Sequence, residues 1–185
     1  GRGAFLRCNG FNGKLKLSDK LDIISSLLFQ GCSNLVGELH IPDHVTNIEN
    51  NAFQGCVGLS GDLIIPNSVQ IIGDESFNQC GSFKGKLVIP SSVTQISRDA
   101  FKGTSFSAVY YAGTKEPTCK DEIGLPNGAI IRVFENYTDS QFCTYKVDPH
   151  GYDDDDDNGG KKSKAWSKGV IAAVVIAVLV AIAII

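Results

Sequence analysis

Methionine is absent from this 185-residue chain and tryptophan occurs once, at Trp166. No secretory signal opens it. With no Met and a start in the middle of a repeat, the chain is expected to be a piece or a processed form of a longer protein. The missing signal therefore does not argue for a cytosolic home. An excess of basic charge is also lacking: 17 Lys and Arg stand against 20 Asp and Glu, for a net charge of −3, which argues against nucleic acid as a partner. None of the six cysteines forms a C-x-x-C pair, so the zinc-finger class of metal site is not indicated. There is no G-x-S-x-G, no phosphate-cradling glycine loop and no supported Ser/His/Asp arrangement. The expectation is a non-catalytic protein with no cofactor and no small-molecule substrate.

What the chain does contain is a repeat. Gly13 to Val36, Gly37 to Ser60, Gly61 to Lys84 and Gly85 to Ala108 align without a gap at a period of 24 residues. They share G-x-L-x-I-P-x-x-V-x-x-I-x-x-x-A-F-x-G-C-x-x-L. Phenylalanine recurs at Phe5, Phe29, Phe53, Phe77 and Phe101, and cysteine at Cys8, Cys32, Cys56 and Cys80. Residues 1–12 hold the back half of a further copy, Ala4 to Asn12. Self-similarity at this period is the signature of a solenoid. One repeat buries too little apolar surface to offset its own chain entropy, so stability must come from stacking neighbours.

One coil can be sketched from its second copy. Leu39 and Ile41 alternate with Glu38 and His40, the period of a strand, and Pro42 ends the pairing because it has no N–H. Val45 and Ile48 form a second inward run, Ala52 and Phe53 fill the back, Leu59 closes the coil, and Gly37, Gly61 and Gly85 open each strand at a tight corner. The laddered cysteines read as small buried hydrophobes. His40 and His44 flank Pro42 on a strand rather than a helix, so they do not make a metal pair. Two outward columns follow. Lys14, Glu38, Asp62 and Lys86 should pair by charge across strands about 4.8 Å apart. Lys16, His40, Ile64 and Val88 form the second column. There, exposed Ile64 beside exposed Val88 makes an apolar patch, and these four are the candidate partner-binding residues.

The stretches "IPDHVTNIENNAFQGCVGL" and "IPSSVTQISRDAFKG" resemble the BspA-like leucine-rich repeats of surface proteins in mucosal bacteria and protozoa. The resemblance covers about Ala4 to Ala108, with Ser18 in place of Pro, Leu28 in place of Ala and Thr104 in place of Cys. It implies a β-rich solenoid, a right-handed leucine-rich-repeat superhelix, and a role in adhesion to matrix proteins or in partner binding without catalysis. Beyond Ala108 the period fades. Turn signals occur at Ala112 to Thr114 and Pro126 to Gly128, and Ala129 to Phe134 reads as one more strand. Residues 109–147 are expected to be a C-terminal cap, because terminal repeats must cover an open core. "VYYAGTKEPTC" and "NYTDSQFC" also resemble the closing segment of that family. In an extracellular cap, Cys119 and Cys143 are the best disulfide candidates. Asn136-Tyr137-Thr138 is an N-glycosylation sequon.

Residues 148–169 carry five acids, Asp153 to Asp157, followed by the small triplet Asn158-Gly159-Gly160 and by Lys161, Lys162, Lys164 and Lys168. The run Asp154-x-Asp156-x-Asn158-Gly159 matches only half of a calcium loop, since Ala165 stands where a bidentate Glu is required. The acidic run is read as a disordered stalk. Val170 to Ile185 is a run of sixteen apolar residues, expected to form a C-terminal hydrophobic helix and short against the roughly 20 that span a bilayer. If that segment spans permanently, the preceding lysines place the solenoid in the cytoplasm. A GPI-attachment signal removes the conflict: Asn158 as the attachment residue, a nine-residue spacer to Gly169 and the sixteen-residue tail all fit. A retained transmembrane or tail anchor is the alternative. The expected protein is a non-catalytic adhesion or recognition protein, its solenoid held outside the plasma membrane, with a protein or matrix ligand. The alternative is a tail-anchored cytosolic scaffold that recruits a partner to a membrane.

Overall fold

The computed structural model describes residues 1–133 and 136–148. The expectations for the acidic stalk, Asn158 and the Val170–Ile185 segment lie outside the described residues. What is described is a β-solenoid of stacked coils, each with three walls.

The first wall follows the corner glycine. Strands β3 (Leu63–Ile64), β5 (Lys86–Ile89), β7 (Ala108–Tyr111), β9 (Ile131–Val133) and β11 (Tyr145–Asp148) stack in parallel. β10 (Gln141–Phe142) pairs antiparallel with β11 at the sheet edge. The second wall is β1 (Ile23–Ile24), β2 (Asn47–Ile48), β4 (Ile71–Ile72), β6 (Gln95–Ile96) and β8 (Thr118–Cys119), parallel throughout. Proline makes the bend between the two walls. The carbonyls of Pro42, Pro66 and Pro90 accept from the N–H of Val45, Val69 and Val93 at 3.0, 3.1 and 3.2 Å. The ring ends the strand and presets the turn.

The third wall has no strand, yet it is hydrogen-bonded from coil to coil. The N–H groups of Asn51, Phe53 and Gly55 donate to the carbonyls of Asp74, Ser76 and Asn78, each at 2.8 Å. The same three bonds recur from Leu27, Phe29 and Gly31 and from Glu75, Phe77 and Gln79. Left-handed residues bracket this stretch. One set is Leu27, Asn51, Glu75 and Asp99 (φ 62°, 57°, 52° and 52°); the other is Gly31, Gly55, Gln79 and Gly103 (φ 73°, 72°, 62° and 75°). The glycines adopt this conformation without strain, whereas Leu27 and Gln79 do not.

Between the walls the core is built of columns. Phe5, Phe29, Phe53, Phe77 and Phe101 stack nearly parallel, with successive ring centroids 5.3, 5.6, 5.4 and 5.9 Å apart. The thiols of Cys32, Cys56 and Cys80 donate to the carbonyls of Phe5, Phe29 and Phe53 at 2.9, 3.1 and 3.1 Å. The ladder cysteines thus act as weak donors that satisfy main-chain oxygens as well as small core residues. Burial pushes the Cys80 thiol up to about 12 and raises Cys56 as well. Thr104, in the next place of the column, turns its hydroxyl to Phe101 of its own coil at 2.6 Å.

Two features differ from the sequence expectation. First, the strand predicted around Leu39 and Ile41 alternates as expected, with both side chains buried, but it has no ladder. In the first two full coils this wall makes only the single bridges Gly13↔Leu35 and Gly37↔Leu59. The ladder begins where the outward residues become Ile64, Val88 and Tyr110, side chains that pack well on a pleated surface. Second, the expected strand within Ala129 to Phe134 is present as β9, but it belongs to parallel sheets that run on to Asp148 where the period faded. Leu87 pairs with Val109, and Val109 with Ile131, a step of 22 residues (109 − 87 and 131 − 109) instead of 24. Residues 109–147 thus carry further strands of both walls.

Candidate protein-binding face

The outward side of the first wall holds the candidate residues. In its N-terminal half Lys16, His40 and Ile64 are exposed; Ile64 keeps 45% of its surface. The His40 side chain is 89% exposed, with Nε2 3.9 Å from Glu38 Oε2. Where the ladder is missing, clefts open. One of about 690 Å³ lies between the first two full coils, with Leu15, Leu17 and Ile41 among its apolar lining and Lys14, Lys16 and His40 among its polar lining. A smaller one of about 360 Å³ lies on the other side of the second coil, reaching Asp62 and Ile64.

Two expectations need correction. Val88 is buried, at 5% exposure. It sits in the column between Ile64 and the larger Tyr110, so the expected Ile64–Val88 patch reduces to Ile64. The charged column does not pair as expected either. Glu38 faces His40 rather than Lys14, and an Asp62 carboxylate oxygen accepts the Lys86 main-chain N–H at 2.8 Å. These side chains lie over the glycine of the next coil: a Cβ at Gly37 would stand 3.4 Å from Lys14 Cγ, and one at Gly61 would stand 3.0 Å from Glu38 Cγ. Both corner glycines are needed for their left-handed φ of 86° and 83°, and Gly61 is short of stacking room as well, whereas the approach at Gly37 is an ordinary contact.

Toward the C-terminal half, the two outward columns continue through residues that the sequence reading passed over. Tyr110 lies between two cations. Arg132 Nη1 donates to Tyr110 Oη at 3.1 Å and its Cζ is 5.4 Å from the ring centroid, while Lys86 Nζ is 5.7 Å from it. In the neighbouring column Ala108 follows Lys86 by register; Ile130, the residue just before β9, extends that column by one place and is 56% exposed. The 22-residue step hid these positions. A search for inward apolar-x-apolar spacing, as in Val109–Tyr111 and Ile131–Val133, would have found them.

The remaining candidates lie elsewhere on the solenoid. Cys119 and Cys143 are joined by a disulfide with their Cα atoms 5.5 Å apart, 24 residues apart in sequence. Around it, the Cys143 N–H donates to Glu116 Oε2 at 3.0 Å and the Glu116 N–H to Asp139 Oδ2 at 2.7 Å. Asn136 is exposed, and the Thr138 hydroxyl two residues on donates to Thr114 O at 3.1 Å. Burial, with Asp139 and Glu116 nearby, pushes Tyr111 up to about 12, and its hydroxyl donates to Lys115 O at 2.8 Å. Among the described residues no three of His, Cys, Asp and Glu gather as a metal-ligand set, and no helix is long and apolar enough to cross a membrane.

A family model described as the BspA type leucine-rich repeat region matches residues 1–117, in six copies. Repeats of this kind generally mediate protein–protein interaction, and proteins that carry them are typically surface-associated. No curated protein and no solved structure matches the chain.

Proposed function

The chain belongs to the BspA type leucine-rich repeat family, and from that premise we propose that it is a non-catalytic adhesion or recognition protein of the cell surface. It binds a protein or matrix ligand of a host or neighbouring cell through the outward face of its first wall. The observation that carries this reading is the contrast between the two sides of that wall. Inward, Leu39, Leu63, Leu87, Val109 and Ile131 are all aliphatic and buried. Outward, the same coils carry His40, Ile64, Val88, Tyr110 and Arg132, which change in size, charge and polarity along the stack while the backbone beneath them repeats, Val88 alone of the five being buried. Solenoids bind through such faces.

Display follows from the C-terminal spacing. Asp153 to Asp157 serve as stalk, and Asn158 is the site of GPI attachment after loss of the spacer and the Val170 to Ile185 tail; the β10–β11 hairpin closes the solenoid ahead of the stalk. The Cys119–Cys143 disulfide supports an oxidising compartment, and the exposed Asn136 is available there for glycosylation. The lysines at 161, 162, 164 and 168 favour a second reading, a cytosolic tail-anchored scaffold. Asn136 glycosylation in cells separates the two, since a cytosolic solenoid is not modified. Phospholipase release of the intact solenoid tests the GPI anchor against a retained span.

The binding role is tested by crosslinking capture on intact cells, comparing the unmodified chain with a His40→Ala/Ile64→Ser double variant of unchanged melting temperature. Capture should fall by about tenfold or more, the effect of losing one or two hot-spot side chains. Undiminished capture by the variant removes the N-terminal half of the face from the reading.

A further inference from the structure

The C-terminal half of the first wall has the layout of a hot spot: an apolar centre ringed by cations. By register, one outward column runs Lys86, Ala108, Ile130, Lys146 and the other Val88, Tyr110, Arg132, Asp148. Ile130 is the most exposed of the large apolar residues described. Extending the register by one residue puts it diagonal to the half-buried Tyr110, with Ala108 on one side and Lys146 on the other in its own column, and two residues before Arg132. Among the described residues, Lys86, Arg132 and Lys146 form no ion pair; the ion pairs described involve His40, Arg98 and Lys102. Arg132 and Lys86 are instead held against the face of Tyr110, which fixes their direction and lowers the entropy cost of engaging an anion.

We infer that this ledge recognises an acidic–apolar segment of a partner protein: an aliphatic or aromatic side chain seated on Ile130 and Tyr110, flanked by carboxylates taken up by Arg132 and by Lys86 or Lys146. The inference rests on the protein-binding reading above and names the partner chemistry of that face. A guanidinium fork matches a carboxylate in two parallel hydrogen bonds. The surroundings limit how much negative charge fits. Asp62 stands one coil below, with its oxygen on the Lys86 N–H, and Asp148 is the register partner of Arg132. Beyond Asp62 the column continues with Glu38. A long polyanion such as a sulfated glycan would meet these acids, whereas one or two carboxylates beside an apolar group would not. The ledge is also a better hot spot than the expected Ile64–Val88 patch, because Tyr and Arg are enriched at the centres of binding energy.

The test is selection of a random-peptide phage library on the full 185-residue chain in mild detergent, followed by affinity measurement of the enriched peptides as synthetic fluorescent probes. The expected consensus places Asp or Glu next to a large apolar residue. Arg132→Gln should weaken those probes about tenfold or more, and the exposed Lys146→Gln by a few-fold. Raising salt from 50 to 500 mM should weaken them further. If Arg132→Gln lowers the melting temperature, Lys146→Gln and Ile130→Ser carry the comparison. A consensus without acids, or probes that bind all three variants unchanged, overturns the ledge while leaving the protein-binding reading in place. Binding of a heparin octasaccharide that the Arg132→Gln change abolishes, without an acidic peptide consensus, overturns it in favour of a glycan. A selection that enriches no peptide counts against protein binding by this face and overturns the ledge with it.

Discussion

Replacing Phe77 by alanine should be among the costliest single changes in the solenoid, and its effect should depend on where in the stack the ring stands. Phe77 is fully buried. Its ring stacks on Phe53 at 5.4 Å and Phe101 at 5.9 Å and meets Phe83 edge-on at 6.4 Å. Truncation of a buried Phe costs roughly 3–5 kcal/mol, and loss of two stacked partners and one edge contact places Phe77→Ala toward the upper end. Phe5, at the end of the same column, is 38% exposed and has only Phe29 stacked on it, at 5.3 Å, with Phe11 edge-on. Phe5→Ala should cost about 1–2 kcal/mol, scaled from the value for a fully buried side chain. The gap between the two is therefore about 2 kcal/mol or more, a large share of the roughly 5–15 kcal/mol that holds a domain together.

The position matters for cooperativity too. Each coil is stabilised mainly by its neighbours, so a cavity in the middle of the stack weakens the coupling between the two halves, whereas one at the end shortens the stack. Urea titration of the full chain, followed by far-ultraviolet circular dichroism, should give a lower midpoint for both variants. Phe77→Ala should also broaden the transition or split it in two. Equal losses for Phe5→Ala and Phe77→Ala, or a loss below about 1.5 kcal/mol for Phe77→Ala against the range for buried Phe, would refute the stacked-column account of stability.

Three further outcomes are expected. Gln79 holds φ 62° where Gly31, Gly55 and Gly103 stand in the other copies. Removing roughly 1–2 kcal/mol of left-handed strain against roughly 0.5–1 kcal/mol of added chain entropy makes Gln79→Gly mildly stabilising, read as a melting temperature higher by about 2 °C. The Cys119→Ser/Cys143→Ser double variant opens a loop closed over 24 residues, worth roughly 3–4 kcal/mol by chain entropy. Hydrogen exchange should rise in residues 120–148 and leave Phe29 to Phe101 unchanged. Alkaline pH should destabilise the core. The Cys80 thiol is raised from its ordinary 9 to about 12 in the fold, with Cys56 raised too. Both are neutral in either state below pH 9, where their contribution is complete. Above it the unfolded chain ionises first, so stability falls between pH 9 and about pH 12. A Cys56→Ala/Cys80→Ala variant, though less stable at pH 7.5, should lose less on going to pH 10.5; identical pH slopes would contradict the assignment.

The repeat made much of the fold legible. A 24-residue spacing of Phe and Cys can be satisfied only if those residues fall at one position of successive coils, and the inward columns followed directly: Leu39, Val45, Ile48, Phe53 and Leu59 are all buried. The third wall was hidden because its hydrogen bonds depend on left-handed φ at Leu27, Asn51, Glu75 and Asp99, and residue types this varied carry no common signal. Of the C-terminal coils, the strand within Ala129 to Phe134 was legible and is β9, but its place in the stack was hidden because the first wall steps by 22 residues there, which slides Tyr110 and Arg132 off any 24-residue register. Val88 was misplaced for a related reason. Alternation correctly put it outward, but its exposure depends on its neighbours in the column, and the neighbour above it, Tyr110, was not in the alignment. The missing ladder around Glu38 and His40 was equally invisible, since strand alternation is present there without the pairing.

Variation among copies within one chain separates scaffold from site. The inward positions of the first wall accept only aliphatic residues because each must fill the same space between the same two neighbours. The corner glycines are held by two different demands: Gly13, Gly37 and Gly61 by a left-handed φ, and Gly85 by room, since a Cβ there would stand 2.1 Å from Asp62 Oδ1 and 2.7 Å from Gly61 O. No such demand acts on the outward positions, where a solvated side chain of almost any type costs little. Solubility alone would fill them with interspersed charges, and Lys14, Lys16 and Glu38 in the N-terminal coils fit that account. It does not explain an exposed Ile130 on the same stretch of wall as Tyr110 with two cations held on the Tyr110 ring, since that arrangement leaves apolar surface in water and brings like charges together. A free surface has no reason to carry both costs in one place, whereas a surface that is covered by a partner recovers both on binding.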